Sequence, residues 1–472
     1  MKFHHKSKNC LLILFALSAL THFAYFGYPA QTVFDEVYFG RFASDYITGD
    51  YYFDQHPPLG KLIISGFGHL SGISSDGTDY SKIGDAYSNK LYLWYRFLPT
   101  LAGTLLPLVV FLLTLRLKFS RGVSFLAGLL IVFENSLLVQ SRMISLDSML
   151  LLFGFSSLWL YLSHRQSRGR LKIAYLVASA ITAALAFNMK WTGLSFLGLI
   201  LLTELWTAAT TIVGIRRALK GAFLKAALYL SVGLAIYAAG FAIHFALLPH
   251  SGQGDAFMTP SFQKTLAGNQ YAGDSNIKPL GLFGKFLELN KEMYEANATM
   301  NATHPYSSKW YTWPTMARPI YYWEGNNSGD PSTPHSYIYY LGNPVIYWSG
   351  GAVTLGLILY WLWMTASRRS SAFSDDDWRR LSFIVVGFLA NFLPFVLIGR
   401  VMFLYHYEAA LAFSVFAIAF FLDSFGPKIK KVAIVVIISS AFAAFLYFSP
   451  LTYGTPLSDL ALNQRMWFSN WR

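Results

Sequence analysis

Acidic side chains cluster in one stretch near the beginning of the sequence. Of the 24 Asp and Glu residues in the 472-residue chain, eight lie between positions 29 and 96, and Asp35 and Glu36 are adjacent. Further along the same stretch, the run YYFDQHPPLGKL places Asp54 and His56 close together. A positioned carboxylate can accept the proton of a hydroxyl group while that hydroxyl attacks. The stretch therefore contains candidates for the general base of a group-transfer reaction.

Basic side chains that could complement these carboxylates lie near the ends of apolar runs. They are Lys61, Arg96, Arg142, Lys190 and Arg400, and His406 stands between two tyrosines. Arg and Lys stabilise the negative charge that develops on a departing phosphate. Each of these residues alone also fits a simpler role, because cations at the ends of membrane helices commonly extend to the interface.

Structural interpretations remain open for individual residues. Asp35 and Glu36 could cap an interfacial helix, because a helix N-terminus favours negative charge. His56 precedes two prolines and could order a turn. Arg142 and Asp147 flank a short predicted turn and could form an ion pair. A chemical role can be distinguished from a structural one only by where these residues lie relative to one another.

The composition indicates a membrane protein. Hydrophobic residues make up 54% of the chain and charged residues 13%, which is about half the charged share of a typical soluble protein. This composition excludes disordered tails, solenoids of polar repeats and secreted disulfide scaffolds. Cys10 is the single cysteine, so the sequence offers neither a disulfide framework nor a cysteine-based metal site. The net charge of +13 does not indicate nucleic acid binding by itself, because Lys and Arg accumulate in cytoplasmic loops.

Eleven apolar runs of about 20 residues predict membrane-spanning helices. Two long segments, 29–96 and 248–344, separate some of these runs, and their many aromatic residues predict ordered structure with amphipathic helices at the interface. We therefore predict an all-α polytopic membrane protein with about 11 transmembrane helices and two large outer loops. The runs lie near positions 10–28, 97–115, 122–139, 146–163, 173–188, 191–209, 226–247, 345–365, 381–398, 405–423 and 432–449.

The distribution of basic residues predicts the orientation of these spans. With the N-terminus in the cytoplasm, the segments on that side contain 21 Lys and Arg residues. The three short connections on the other side contain only Arg142, Lys190 and Arg400. Because Lys and Arg accumulate on the cytoplasmic side, both large loops are predicted to lie outside. The acidic stretch and several cations then converge on the outer membrane face.

This convergence favours the transfer of a sugar from a lipid-linked phosphate to an acceptor on the outside. A carboxylate base would take the proton of the acceptor hydroxyl, and the phosphate would leave without being protonated. A second carboxylic acid is therefore not needed. The sequence contains no GxxxxGK[ST], HExxH or GxSxG motif, which disfavours nucleotide hydrolysis, zinc peptidase and serine hydrolase chemistry.

The run FDEVYFGRFASDYITGDYYFDQHPPLGKLI resembles the first-loop signature of the protein O-mannosyltransferases. The resemblance continues in QSRMISLDSMLLLF, FNMKWTGLSF, HPYSSKWYTWPTMARPIYY and RVMFLYHYEAALAF, so it extends over nearly the whole chain. It implies the GT-C membrane fold in a single domain over 1–472. The predicted order is an N-terminus and first span at 1–28, a first outer loop with the catalytic motif at 29–96, spans two to seven at 97–247, a second outer loop at 248–344, spans eight to eleven at 345–449 and an outer tail at 450–472.

The resemblance also implies roles for individual residues. Asp35 matches the catalytic base that activates a Ser or Thr hydroxyl, and Glu36 matches its catalytic neighbour. Asp54 and His56 match a second cluster of the loop, and Arg96 matches an arginine that we assign to the donor phosphate. The remaining motif positions are interpreted as substrate-binding from their charge and placement: Lys61, Arg142, Lys190, Arg400 and His406.

The activity that the resemblance implies is inverting transfer of mannose from polyprenyl-phosphate mannose to Ser or Thr of an acceptor protein. The family implies no metal and no cofactor besides the lipid-linked donor. Eukaryotic members carry a β-trefoil MIR domain in the second outer loop, whereas the loop of about 97 residues here is too short for one. We therefore expect the shorter bacterial or archaeal type in the plasma membrane, with its active site and C-terminus outside the cytoplasm. An association with the secretion machinery stays open.

Two alternatives remain at this point. The same architecture could transfer another sugar or use a lipid or glycan acceptor, and only the motif match separates these cases. A transporter or flippase of lipid-linked sugars would place ionisable residues near the bilayer midplane and would show two related halves. The acids here cluster in the outer segments instead, which favours a transferase.

Overall fold

The structure is a computed structural model, and it describes residues 5–210, 214–299, 303–325, 334–367 and 374–472. Most of these residues are helical, and a small antiparallel sheet pairs β1 (Ile320–Glu324) with β2 (Tyr337–Tyr340). The helices are α1 (His5–Phe23), α2 (Glu36–Thr48), α3 (Leu59–His69), α4 (Leu91–Arg116), α5 (Arg121–Val132), α6 (Asn135–Ser141), α7 (Asp147–Gln166), α8 (Gly169–Met189), α9 (Leu194–Ala209), α10 (Ile215–Leu247), α11 (Pro260–Gln263), α12 (Leu282–Thr299), α13 (Pro344–Ala366), α14 (Asp375–Phe392), α15 (Glu408–Asp423), α16 (Pro427–Tyr453) and α17 (Asp459–Arg465).

Eight helical segments among the described residues are long and apolar enough to cross a membrane. They contain α4, α8, α9, α10, α13, α14, α15 and α16, and the pair α5 and α6 is a ninth candidate with a bend of 58°. The two other predicted runs coincide with α1 and α7. The polytopic all-α architecture is therefore confirmed, while the count of eleven spans stays a prediction.

The bend between α5 and α6 has a polar cause. Glu134 stands at the break, where its carboxylate accepts hydrogen bonds from the backbone N–H of Leu137 (2.8 Å) and of Asn343 (2.7 Å). The Asn343 side chain in turn donates to the carbonyl oxygens of Phe133 and Ala441. Backbone groups at membrane depth must find partners within the protein because lipid offers none. The break is therefore satisfied internally, and it directs α6 away from the axis of α5.

The two large outer segments pack on each other. The Gly254 N–H donates to the Tyr51 carbonyl (3.1 Å), and the Phe34 N–H donates to the Tyr322 carbonyl of β1 (3.1 Å). A Cβ atom at Gly254 would lie 2.4 Å from the backbone of Tyr52, so the close approach of these two segments requires glycine. The two predicted outer loops are thus in direct contact with each other.

The first outer segment rests on the ends of α7 and α8. At the start of α3, a Cβ atom on Gly60 would lie 2.7 Å from the Leu146 side chain and 2.8 Å from the Met189 side chain. Leu146 immediately precedes α7, and Met189 is the last residue of α8. This contact brings the acidic stretch to the helix ends that carry Asp147 and Lys190.

Candidate active site

Asp35 lies at the N-terminus of α2, but it does not cap that helix. Its backbone is helical (φ −68°, ψ −1°), and its side chain makes no capping hydrogen bond. Burial raises the pKa of the Asp35 carboxyl to about 7, with Asp147 and Asp54 adding to the increase and with Lys190 and Arg400 opposing it. The structure therefore provides a carboxyl group that can gain and lose a proton near neutral pH, as a general base requires. The alternative of a simple helix cap does not fit this geometry.

Glu36, the next residue, is fully engaged inside the protein. Its two carboxylate oxygens accept hydrogen bonds from the guanidinium of Arg96 at 2.7 and 2.6 Å. They also accept from the Val33 N–H (2.9 Å), the Ile144 N–H (2.8 Å) and the Tyr87 hydroxyl (2.9 Å). With so many partners, Glu36 has no role as a second base, and it instead fixes the backbone that presents Asp35.

The Arg96 guanidinium is engaged inside the protein. Besides Glu36, its guanidinium donates to the carbonyl oxygens of Pro29 (2.7 Å) and Gln31 (3.0 Å), and its side chain is 0% exposed. The rings of Tyr87 and Tyr92 cover it at 5.4 and 5.1 Å. The buried guanidinium is therefore the counter-ion of Glu36, which disfavours the predicted contact of Arg96 with the donor phosphate.

Arg142 connects two segments of backbone. Its guanidinium donates to the carbonyl oxygens of Thr452 (3.2 Å) and Tyr25 (2.9 Å) and lies 4.7 Å from the centre of the Tyr453 ring. These contacts tie the end of α16 to the segment after α1. The substrate-binding role of Arg142 stays a prediction, whereas the alternative of an ion pair with Asp147 is wrong, because Asp147 binds Lys190 instead.

Lys190 and Asp147 form an ion pair beside the base. The Lys190 Nζ donates to Asp147 Oδ1 at 2.7 Å, and Gln140 Nε2 donates to Asp147 Oδ2 at the same distance. The Lys190 ammonium also faces the rings of Phe39 (5.8 Å) and Tyr405 (5.4 Å). The pair therefore holds a positive charge near Asp35 in a fixed position.

Asp54, His56 and Lys61 come together as the sequence predicts. The buried Lys61 Nζ donates to Asp54 Oδ2 and to the His56 carbonyl (2.9 Å). The His56 ring stacks on Phe39 with ring centres 6.5 Å apart. Burial lowers the pKa of His56 well below its ordinary value, and nearby Lys190 lowers it further. His56 is therefore a neutral imidazole at this site, and Lys61 supports the loop that carries it.

Arg400 and His406 approach the site from the segment between α14 and α15. Arg400 lies close enough to Asp35 to lower the pKa of that carboxyl. Its Nη1 donates to Gln55 Oε1 at 3.3 Å, and its buried Nε has no hydrogen-bond partner in the described part of the chain. His406 is held between the rings of Tyr405 (4.5 Å) and Trp313 (5.9 Å). Arg400 thus places beside Asp35 a guanidinium with donors left for an anion.

Sequence reasoning missed three residues of this site as functional. The sequence alone indicates Asp147 only as a partner of Arg142, and it gives no separate indication for Gln140 or Tyr322. Tyr322 donates to Gln140 Oε1 at 2.6 Å and so completes a chain of hydrogen bonds to Asp147. Asp147 and Gln140 belong to the stretch around QSRMISLDSMLLLF, whose resemblance to the family was the one available signal.

The arrangement combines a titratable carboxyl with fixed cations, and it offers no evident metal site. Across the described ranges there is no group of three or more His, Cys, Asp or Glu side chains that could hold a metal ion. A carboxyl with a pKa near neutrality beside Lys190 and Arg400 suits proton removal from an acceptor that attacks an anionic donor.

Two sequence models match the chain. A model described as "Dolichyl-phosphate-mannose-protein mannosyltransferase" matches residues 12–249, and one described as "C-terminal four TMM region of protein-O-mannosyltransferase" matches residues 282–471. The first alone covers half of the chain. Together they confirm the family that the first-loop motif indicated.

Curated relatives match the same chain over roughly half of its length. Protein O-mannosyltransferase 1 of Drosophila melanogaster is 37% identical over 263 residues, which are 54% of this chain and 30% of that protein. Dolichyl-phosphate-mannose–protein mannosyltransferase 1 of Saccharomyces cerevisiae is 33% identical over 273 residues, 56% of this chain and 33% of that protein. The matched region thus spans about a third of the length of these relatives.

Solved structures show the same fold. The S. cerevisiae protein O-mannosyltransferase Pmt1-Pmt2 complex bound to the sugar donor aligns with a TM-score of 0.89 at 20% identity, over 100% of this chain and 93% of that one. The apo oligosaccharyltransferase of Archaeoglobus fulgidus aligns with a TM-score of 0.54 at 15% identity, over 98% of this chain and 58% of that one. These likenesses confirm the predicted GT-C architecture. From the sequence models, we conclude that the chain belongs to the protein O-mannosyltransferase family.

Proposed function

We propose that this multi-pass membrane protein transfers mannose from polyprenyl-phosphate mannose to the hydroxyl group of Ser or Thr in acceptor proteins. The observation that carries the proposal is the Asp35 carboxyl, whose pKa is about 7 and whose neighbours include Lys190 and Arg400. The names of the relatives, which include dolichyl-phosphate-mannose–protein mannosyltransferase, supply the substrate class.

In the proposed reaction, Asp35 removes the proton of the acceptor hydroxyl as its oxygen attacks the anomeric carbon. The bond between that carbon and the phosphate oxygen breaks, and the lipid phosphate leaves with the electron pair. One base is sufficient because the phosphate leaves as an anion and needs no proton. Attack on the face opposite the phosphate inverts the configuration, so a β-linked donor yields an α-linked product.

Arg400 replaces Arg96 as our candidate for contact with the donor phosphate. Its guanidinium Nε lacks a partner among the residues that the structure describes, and the side chain is only partly buried. Lys190 supplies a second positive charge, although its ammonium is shared with Asp147. Charge-assisted hydrogen bonds from these groups would stabilise the departing phosphate more than the intact donor, because the phosphate gains a further negative charge as the singly charged phosphodiester breaks.

We also propose that the reaction takes place on the extracytoplasmic face of the plasma membrane. The excess of Lys and Arg in the segments opposite the site supports this orientation. With the site outside, the donor phosphate would lie in the outer leaflet and the acceptor protein would arrive from the aqueous side. An association with the secretion machinery would bring acceptors to this side while they are still unfolded.

The test is a transfer assay with purified full-length protein, polyprenyl-phosphate mannose and a Thr-rich peptide. Mass spectrometry should detect a peptide with one added hexose that α-mannosidase removes. Asp35→Asn should reduce the rate by at least about a hundredfold, as expected for loss of a general base. Asp45→Asn is the matched control, because Asp45 is on the same helix and has a pKa that burial also raises to about 7. A rate for Asp35→Asn close to that of the Asp45→Asn control would refute the proposed base.

A further inference from the structure

Arg400 differs from other cations of the candidate active site in the kind of partner that it has. Its Nη1 donates to the side-chain oxygen of Gln55 at 3.3 Å, and Gln55 is its only hydrogen-bond acceptor in the described part of the chain. Three other cations of the site are paired with carboxylates instead: Arg96 with Glu36, Lys61 with Asp54, and Lys190 with Asp147. Because the Gln55 amide is uncharged, it holds the Arg400 guanidinium without neutralising it.

Two carboxylates lie near Arg400, but neither of them is its partner. Burial lowers the pKa of the Arg400 guanidinium, and Tyr405, Asp54 and Asp35 oppose this effect. Asp54 is bound to Lys61, and Asp35 is the candidate base. Neither carboxylate forms an ion pair with Arg400 in the ranges that the structure describes. The charge of Arg400 is therefore available to an anion that enters the site.

The backbone at Gln55 is held from two sides. The Lys61 Nζ of α3 donates to the Asp54 carboxylate and to the His56 carbonyl (2.9 Å), which belong to the residues before and after Gln55. From the other side, Asn297 Nδ2 of α12 donates to the Gln55 carbonyl at 3.0 Å. Both large outer segments thus fix the position from which the Gln55 side chain extends.

Arg400 itself lies in the stretch 398–403, which contains no helix or strand. We propose that Gln55 is a positioning residue that directs the Arg400 guanidinium toward the donor phosphate while leaving its charge uncompensated. The buried Nε of Arg400, which has no partner within the described ranges, would then donate to a phosphate oxygen. A carboxylate in place of Gln55 would also hold Arg400, but it would cancel its charge and repel the phosphate. This inference rests on the proposed function, in which the donor sugar is carried on a lipid phosphate.

Binding of polyprenyl phosphate to the purified full-length protein tests this role without requiring turnover. The dissociation constant is measured by titration in detergent with native mass spectrometry at pH 8. Gln55→Leu should weaken binding by about tenfold, the effect of losing a hydrogen bond to a charged group. Gln55→Glu should weaken binding more than Gln55→Leu does, because the added carboxylate repels the phosphate. A purely structural role predicts the reverse order, since Glu has nearly the shape of Gln. A Gln55→Glu protein that binds as tightly as the wild type would overturn the proposal.

A double-mutant cycle tests whether Gln55 acts through Arg400. In an Arg400→Gln background, Gln55→Leu should have no further effect on binding, because the group that it positions is absent. Gln253→Leu is the matched control and should bind as the wild type does. Gln253 also makes a side-chain hydrogen bond of 3.3 Å, but it is exposed and its partner is Asp45. An equal effect of Gln55→Leu with and without Arg400 would show that Gln55 does not act through this arginine.

A transfer assay on the same proteins separates this inference from the proposed function. If the wild type transfers mannose to the peptide but the Gln55 variants bind polyprenyl phosphate normally, the positioning role is refuted and the proposed function stands. If binding follows the expected order but no mannose is transferred, the proposed function is refuted and the positioning of Arg400 by Gln55 stands.

Discussion

Glu36 and Arg96 form a doubly hydrogen-bonded ion pair in which both side chains are fully buried. The pair stands next to Asp35, so it fixes the position of the candidate base without facing the substrate itself. Taking two charges out of water is costly, and the geometry compensates this only while both partners are present.

Single substitutions in this pair should therefore destabilise the protein, whereas a double substitution should restore part of the loss. Glu36→Gln or Arg96→Met should each cost about 3–5 kcal/mol, because one charge remains buried without its partner. The double variant should have a higher melting temperature than either single variant. Thermal unfolding of the four proteins in one detergent measures this. If Arg96→Met left the melting temperature unchanged and raised only the KM for the lipid donor, the result would support the predicted contact between Arg96 and the donor phosphate.

The rate of transfer should follow the ionisation of Asp35. Because the base must be deprotonated and its pKa is about 7, kcat/KM should rise with pH up to about 7 and then level off. Lys190 lowers this pKa, so Lys190→Met should move the acidic limb of the profile to higher pH. Lys225→Met, which removes a lysine paired with Glu204 outside the site, should leave the profile in place. An acidic limb that does not move in Lys190→Met would contradict the electrostatic coupling.

The raised pKa of Asp35 also predicts how the stability of the folded protein depends on pH. Burial raises the pKa of Asp35 from 3.8 to about 7, so the folded protein holds this proton more tightly than the unfolded chain does. The stabilisation is complete below about pH 4 and is lost as the pH rises through 7. Since Asn stays neutral, Asp35→Asn should melt at least about 1 °C above the wild type at pH 8, with a smaller difference at pH 5.

Asp45→Asn should show the same dependence on pH while transfer activity is retained, because burial also raises the pKa of Asp45 to about 7. Together, the two variants separate the cost of burying a carboxylate from its use in catalysis. A melting temperature of Asp35→Asn that falls below the wild type at pH 8 would show that its carboxylate is needed for folding.

Arg400 and Arg142 should give opposite results on substitution. Arg400→Gln should raise the KM for the lipid donor by about tenfold to a hundredfold, the effect of losing a hydrogen bond to a charged group. Arg142→Gln should lower the melting temperature without a selective effect on donor KM, because this arginine binds the carbonyl oxygens of Tyr25 and Thr452. Steady-state kinetics at varied donor concentration distinguishes the two. A donor KM that is unaffected in Arg400→Gln would remove our candidate for the phosphate contact.

The class of protein could be predicted from the sequence, but the cations that lie near Asp35 could not. Hydropathy and charge depend on composition within short windows, so the membrane helices and the two outer segments could be predicted locally. The first-loop motif also has a strict local spacing. The hydropathy and charge patterns and the motif can therefore be recognised without knowledge of the tertiary structure.

Which acidic residue a given basic residue pairs with depends instead on tertiary contacts. Arg96 and Arg400 look alike in the sequence, since both are arginines near the ends of apolar runs. Arg96 finds its carboxylate 60 residues away in Glu36, and Lys190 finds its own 43 residues away in Asp147. These long-range pairs decide which arginine is neutralised inside the protein and which is left for a ligand. No local pattern in the sequence predicts the pairs.

The docking of the outer segments also sets an order for biogenesis. Asp35 leaves the ribosome early, but Phe34 beside it binds the backbone of Tyr322, and Gly254 binds that of Tyr51. Arg400 is translated later still. Since N-terminal regions of a nascent chain emerge and begin to fold first, a chain interrupted before its last third would lack both the Tyr322 backbone that binds Phe34 and the Arg400 side chain near Asp35, so its candidate site would be incomplete.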